Sequence, residues 1–261
     1  MIKKLRKYWL VWLTSSKLSL STALSTRTAS LTFMFGKFLR FGFFIYFLFI
    51  LGGSIETIAG YSYDTLLTFF LVFNLFDLFG QFFFRGIYWF RQQVISGEFD
   101  FRLVKPINPL FQALTRQTDL LDIPLLFIVI AALVRQSINM DLTSALYFFA
   151  ASIIGMVIIT AIHIAVAALG VLTTEVDHTM WIYRDLSLMA RFPIDIYTDG
   201  IKALLTFVVP VGIIFTFPAK AMMGLLTLQN LITAATVGTI FFLASYKFWQ
   251  IALSKYSSAS S

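Results

Sequence analysis

The sequence predicts an all-α polytopic membrane protein: six transmembrane helices, an interfacial amphipathic helix at the N-terminus, a short helix on the loop between spans 2 and 3, and both termini on the cytoplasmic side. Three observations predict it. The 261 residues are 59% hydrophobic and only 13% charged, with a mean hydropathy of +0.84, whereas a soluble domain is nearer half apolar and a quarter charged. Six apolar runs approach or exceed the roughly 20 residues that cross a bilayer. Basic residues are concentrated on one side of those runs, with Lys3, Lys4, Arg6, Lys7, Lys17, Arg27, Lys37 and Arg40 in the first forty positions.

Residues 1–30 begin with a basic stretch and "YWLVWL", then turn polar, so the apolar core of a secretory signal is too short and lacks a small-residue cleavage site. Leu5, Trp9, Trp12, Leu13, Ser16, Leu20 and Leu24 recur at helical spacing, which predicts an amphipathic helix from residue 3 to about 28 lying in the membrane interface. The expected spans are 33–53, ending at Gly52 and Gly53, then 64–85, 110–134, 142–172, 200–217 and 230–251. The fourth is longer than a bilayer requires and must tilt, kink or project. With the N-terminus inside, the 86–109 and 173–199 connections and the C-terminal tail are cytoplasmic. The opposite side then holds only Arg135 and Lys220 among basic residues, with Glu56, Asp64 and Asp141. That is the positive-inside asymmetry. The outer connections are short, so a folded surface has to face the cytoplasm.

Several chemistries are excluded or weak. There is no cysteine, hence no disulfide, thiolate metal site or thiol nucleophile. The only Gly-Lys pair, Gly36-Lys37, is followed by Phe38, so no phosphate-binding P-loop exists. No soluble domain remains to bind nucleic acid. His163, within "ITAIHIAVAALG", reads as a hydrogen-bonded interior residue, with a catalytic base as the alternative. His178 lies near Glu175 and Asp177 and reads as a solvated helix end rather than a metal ligand. No metal site is expected.

Polar stripes mark two spans. Asn74, Asp77, Gln81 and Arg85 share one face of the second, and Gln112, Arg116 and Asp119 one face of the third. Intramembrane charges seek partners or a water-filled cavity. If spans 2 and 3 are continuous antiparallel helices, Asp77 and Arg116 lie at similar depth and should pair, with Asp119 the next candidate partner. Arg85 reaches Asp119 or Asp122 only if the register shifts.

Between these spans, "IYWFRQQVISGEFDF" places Ile87, Phe90, Val94 and Ile95 at helical spacing, with Gly97 as a stop. Pro106 and Pro109 then lead back into the membrane. The stretch "SGEFDFRLVKPINPLF", together with "RFPIDIYTDGIKALLTFVVPVGIIFTFPAKAMMG", resembles the ABC-2 type permeases, specifically the small six-span bacterial ABC-2 family transporter proteins. The resemblance extends over the whole chain in span number and loop placement. It implies that 86–109 is a coupling region docking a separate nucleotide-binding subunit, with Arg91, Gln92, Gly97, Glu98, Asp100 and Arg102 as docking candidates. It implies an outer gate at 210–224, with Pro210, Pro218, Met222 and Met223 and short re-entrant helices. Further implications are two ATPase copies, a second permease half (this chain again or a related one) and a bacterial cytoplasmic (inner) membrane. No cofactor is expected on this chain, ATP and Mg being held by the partner.

The expected function is therefore a non-enzymatic permease subunit exporting a hydrophobic or amphipathic substrate, since no outer binding domain exists for an importer. The alternative is an ion-coupled secondary transporter using Asp77. A membrane enzyme with His163 as base and a structural scaffold complete the set.

Overall fold

The computed structural model describes residues 2–54, 57–58, 60–173 and 179–257. Helices dominate, and the only β feature among the described residues is a single bridge between Ile58 and Tyr61. The amphipathic α1 (Ile2–Ser25) runs through a polar stretch whose hydroxyls find partners by bonding back one turn: Thr14 to the Leu10 carbonyl at 2.9 Å, Ser19 to Ser15 at 3.0 Å and Thr22 to Leu18 at 3.0 Å. α1 lies along the 106–118 segment. Lys7 donates to the Pro106 carbonyl at 2.6 Å, the Asn108 amide donates to the Tyr8 hydroxyl at 3.1 Å, and Ser16 meets Thr118 at 2.8 Å. Leu5, Trp9, Leu10 and Leu18 remain exposed along it, as suits a helix lying in a lipid interface.

α2 (Arg27–Ser54) and α3 (Tyr63–Phe84) form an antiparallel hairpin. Phe70 stacks on Phe44 at 4.4 Å, and Phe49 meets Tyr63 edge-on at 6.4 Å. α3 is the core helix, with Phe69 through Phe76 all buried. A tight turn at Arg85–Trp89 leads into α4 (Phe90–Ile95). Gly97 has φ +74°, a left-handed value that favours glycine, so the predicted stop is where the chain turns. α5 (Asp100–Leu103) and α6 (Pro109–Thr115) follow. Asn108 caps α6 by accepting from the Leu110 and Phe111 amides at 2.8 and 3.3 Å.

The third span departs from expectation. Helix does not run from 110 to 134. α6 ends at Thr115, residues 117–119 are non-helical, a single turn covers Leu120–Asp122, and α7 (Ile123–Gln136) begins there. The membrane-length apolar stretch is Leu120–Asn139. Pro124 in the first turn of α7 has no N–H to extend a helix backwards, and Asp119 and Asp122 are drawn sideways to Lys37. The fourth span is as expected: α8 (Leu142–Leu172), capped by Asp141 on the Thr143 and Ser144 amides at 3.1 and 3.3 Å.

α9 (Thr179–Leu188), α10 (Asp199–Ala203), α11 (Phe217–Met222) and α12 (Leu228–Ser254) complete the chain. α8 and α12 run parallel: Gly224 lies against Ser144, Gly238 against Ile154 and Ile158, and both Gly170 and Trp249 lie beside Phe90. The chain between them must therefore cross once, and it crosses at 179–194. Trp181 meets Tyr88 at 5.7 Å at the α1 end, Arg191 lies over Phe73 at 5.6 Å, and Asp195 accepts from Tyr61 at 2.9 Å at the far end. This segment is thus antiparallel to α3 along its length. The expected fifth span, 200–217, is a V instead: Asp199–Val208 and Gly212–Met222 meet at 87°. Pro210 disfavours helix at the preceding residue, and Val209 indeed leaves the helical conformation (φ −121°, ψ 89°). The true crossing escapes a hydropathy reading because it contains Arg184, Asp185 and Arg191. Six crossings still result, and both ends of the chain lie on one face, where Lys7 reaches Pro106 and Tyr256 reaches Asp100.

Candidate translocation path and coupling face

On the face carrying α1, the 85–108 connection is a braced platform. Phe99 is fully buried among Phe90 (5.1 Å), Tyr256 (5.3 Å) and Trp249 (6.3 Å). Glu98 accepts from Arg102 at 3.3 Å and from Arg116. Gln112 donates to the Arg102 and Ile107 carbonyls at 3.3 and 3.0 Å, and Tyr256 donates to Asp100 at 2.8 Å. Of the predicted docking residues, Gln92 is exposed, while Arg91, Gly97, Glu98 and Asp100 are half-buried. Arg102 is 5% exposed and holds the loop together instead of presenting its guanidinium outward. The platform also presents apolar side chains: Phe101 is 71% and Val104 82% exposed, with Ile95, beside the exposed polar Gln92, Ser96 and Lys105. The charges were conspicuous in the sequence, but the fold uses Glu98, Asp100 and Arg102 as braces within the loop and to its neighbours.

The polar stripes meet different partners from those expected. Asp77 does not contact Arg116; it accepts from Gln81 at 2.8 Å, while Arg116 pairs with Glu98. The expectation assumed a rise of 1.5 Å per residue through 110–119, and the break after Thr115 removes it. That same break supplies the register shift that lets Arg85 reach Asp119 at 3.8 Å. Asn74 donates to the Phe70 carbonyl at 2.8 Å. Gln81 receives Arg184 at 3.5 Å, and Arg184 also donates to Tyr88 at 3.2 Å. Lys37, Arg184 and Arg191 are the residues the stripes did not reveal, because their partners are distant in sequence. Lys37 is buried between Asp119 (3.3 Å) and Asp122. His163 is buried, its Nδ1 donating to the Ile159 carbonyl at 2.7 Å and its ring 4.8 Å from Phe84. It is an interior residue as expected. His178, Glu175 and Asp177 lie outside the described residues, among which no group of three metal-ligating side chains occurs.

At the opposite face the V enters between α3 and α8. Its apex, Pro210, is buried, as are all residues from Val211 to Ala219. Phe215 sits 5.0 Å from Phe73 and 6.4 Å from Phe76, and Thr216 accepts from the Ile194 amide at 3.4 Å. Asp195 closes the mouth, receiving Lys202 at 2.8 Å and Lys220 at 2.6 Å from the two arms. Burial pushes the Asp195 carboxyl up, but the bonds from Lys202, Lys220 and Tyr61 outweigh it and hold it at about 2; the same carboxylate, with burial foremost, raises the Tyr61 hydroxyl above its ordinary value. Of the expected gate residues, Pro210 and Pro218 are buried and Met222 and Met223 half-buried beyond them.

A membrane bundle with a braced loop on one face and a re-entrant V from the other defines a transport protein more readily than an enzyme. The family model for ABC-2 family transporter proteins matches residues 37–260, and the chain belongs to that family: it is the membrane-spanning permease of an ABC transporter. No curated protein and no solved structure matches it.

Proposed function

We propose that this chain is one permease half of an ATP-driven exporter, energised by a separate nucleotide-binding subunit. The observation that carries the reading is the platform: Phe101 and Val104 project from a loop cross-linked to α1, α6 and the end of α12. A partner pressing on that apolar surface moves α3, α6 and α12 together. The chain has no P-loop, so ATP and Mg belong to the partner, in two copies beneath two permease halves. The V between α3 and α8 serves as the outer gate, and the platform and both termini face the cytoplasm of a bacterial inner membrane. A cavity of about 770 Å³ between α1 and the 116–121 segment, lined by Arg85 and Arg116 together with Leu18 and Phe33, suits an amphipathic cargo arriving from the interface.

Co-expression with a candidate nucleotide-binding ATPase subunit tests the reading. A stoichiometric complex and ATP-dependent transport in proteoliposomes are expected. Full transport by the purified chain alone, driven by an ion gradient, overturns it.

A further inference from the structure

Arg40 lies about 20 Å into α2 from Arg27, at 1.5 Å per residue, and is exposed there. Phe44, one turn on and on the same face, carries the Arg191 guanidinium at 5.3 Å; a second aromatic, Phe73, lies at 5.6 Å. Arg40 and Arg191 line one small cavity together with Lys37, Asn74, Asp77 and Gln81. Asp119 and Asp122 are taken up by two cations, Lys37 and Arg85, the latter 3.8 Å from Asp119, and Asp77 is the single carboxylate on the cavity wall facing Arg40 and Arg191. Among the described residues neither arginine has an ion-pair partner, and the Arg191 Nε is buried without a hydrogen-bond acceptor. Asp185, on α9, is exposed and pairs with neither. Positive charge is therefore in excess at mid-membrane depth. Such charge is costly unless it meets water or a counter-charge, and planar guanidinium groups suit phosphate and carboxylate oxygens.

We propose that Arg40 and Arg191 form an anion subsite on the transport path, which recognises the phosphate or carboxylate of an anionic amphipath. The proposal rests on the reading of the chain as a transport subunit and adds the class of cargo. The enclosed cavity measures only about 10 Å³, room for about one water, so the anion docks on the open side, where Arg40 is exposed and Arg191 half-buried. Phe44 flanks the site and accepts the adjoining alkyl chain.

The test uses the full chain with its ATPase in neutral detergent, probed with labelled lysophosphatidate, lysophosphatidylcholine and inorganic phosphate. Lysophosphatidate should bind well above lysophosphatidylcholine, R191Q and R40Q should each weaken it about tenfold, and R191K, which keeps the charge but not the planar fork, should recover only part of the loss. Arg135→Gln, exposed at the far face, should change nothing. Tight phosphate binding with no gain from the alkyl chain would overturn the amphipath assignment. Undiminished lysophosphatidate binding in R40Q/R191Q, or a changed oligomeric size in that variant, would overturn the site. ATP-driven transport that persists in R40Q/R191Q removes the subsite but leaves the exporter reading standing; charge-dependent binding without ATP-coupled transport does the reverse.

Discussion

Asp195 and Lys220 meet at 2.6 Å across the mouth of the V, and Lys202 joins from the other arm at 2.8 Å. One carboxylate thus fastens the end of the fifth crossing to both arms of the re-entrant element. Asp195→Asn leaves two lysines facing a neutral amide and should cost about 1–3 kcal/mol, read as a lower melting temperature in detergent.

The same site predicts a pH dependence. The Asp195 carboxyl, held at about 2, is depressed from its ordinary 3.8, so its contribution is complete above about pH 4 and disappears as pH falls towards 2. The wild-type melting temperature should decline more steeply than that of Asp195→Asn across this window. Parallel curves for the two proteins would show that the carboxylate is not what closes the mouth.

Lys37 lies between Asp119 and Asp122 and is 9% exposed. Lys37→Met leaves two carboxylates buried side by side and should destabilise the bundle by about 3–5 kcal/mol. The triple variant with Asp119→Asn and Asp122→Asn should regain part of that loss, which thermal denaturation of the two proteins would measure.

A Cβ added at Gly155 would lie 3.2 Å from the Ile214 carbonyl oxygen and 3.5 Å from its Cα. Backbone cannot step aside as a side chain can. Gly155→Leu should therefore displace the V, costing about 1–3 kcal/mol and abolishing transport, whereas Gly36→Leu, with open space around it, should be tolerated.

Val104→Asp and Phe101→Asp alter side chains 82% and 71% exposed. Each should abolish co-purification of the ATPase while shifting stability by less than about 0.5 kcal/mol. Arg102→Ala should do the opposite first: a buried brace is lost, so melting temperature falls before affinity is considered. An ATPase retained by both Asp variants would remove the platform as the docking surface.

Much of this was legible in the sequence because the bilayer imposes a one-dimensional rule. Spans 33–53, 64–85, 142–172 and 230–251 emerged as α2, α3, α8 and α12, since uninterrupted apolar helix satisfies its backbone internally. Gly97 and the amphipathic 87–95 stretch were visible for similarly local reasons. The sequence determined the fold class, four of the spans and the glycine stop after α4.

Which segment makes the fifth crossing, and which charges pair, were decided only in three dimensions. Residues 179–194 pass through the bundle because Gln81 and Tyr88 receive Arg184 while Phe44 and Phe73 receive Arg191, so a segment too polar for lipid is acceptable against protein. The apolar 200–217 run folds back because Pro210 breaks it and Asp195 gathers its arms. Hydropathy measures the cost of a side chain in lipid; it carries no information about partners brought from a hundred residues away, and those partners set the register, the path and the unneutralised arginines.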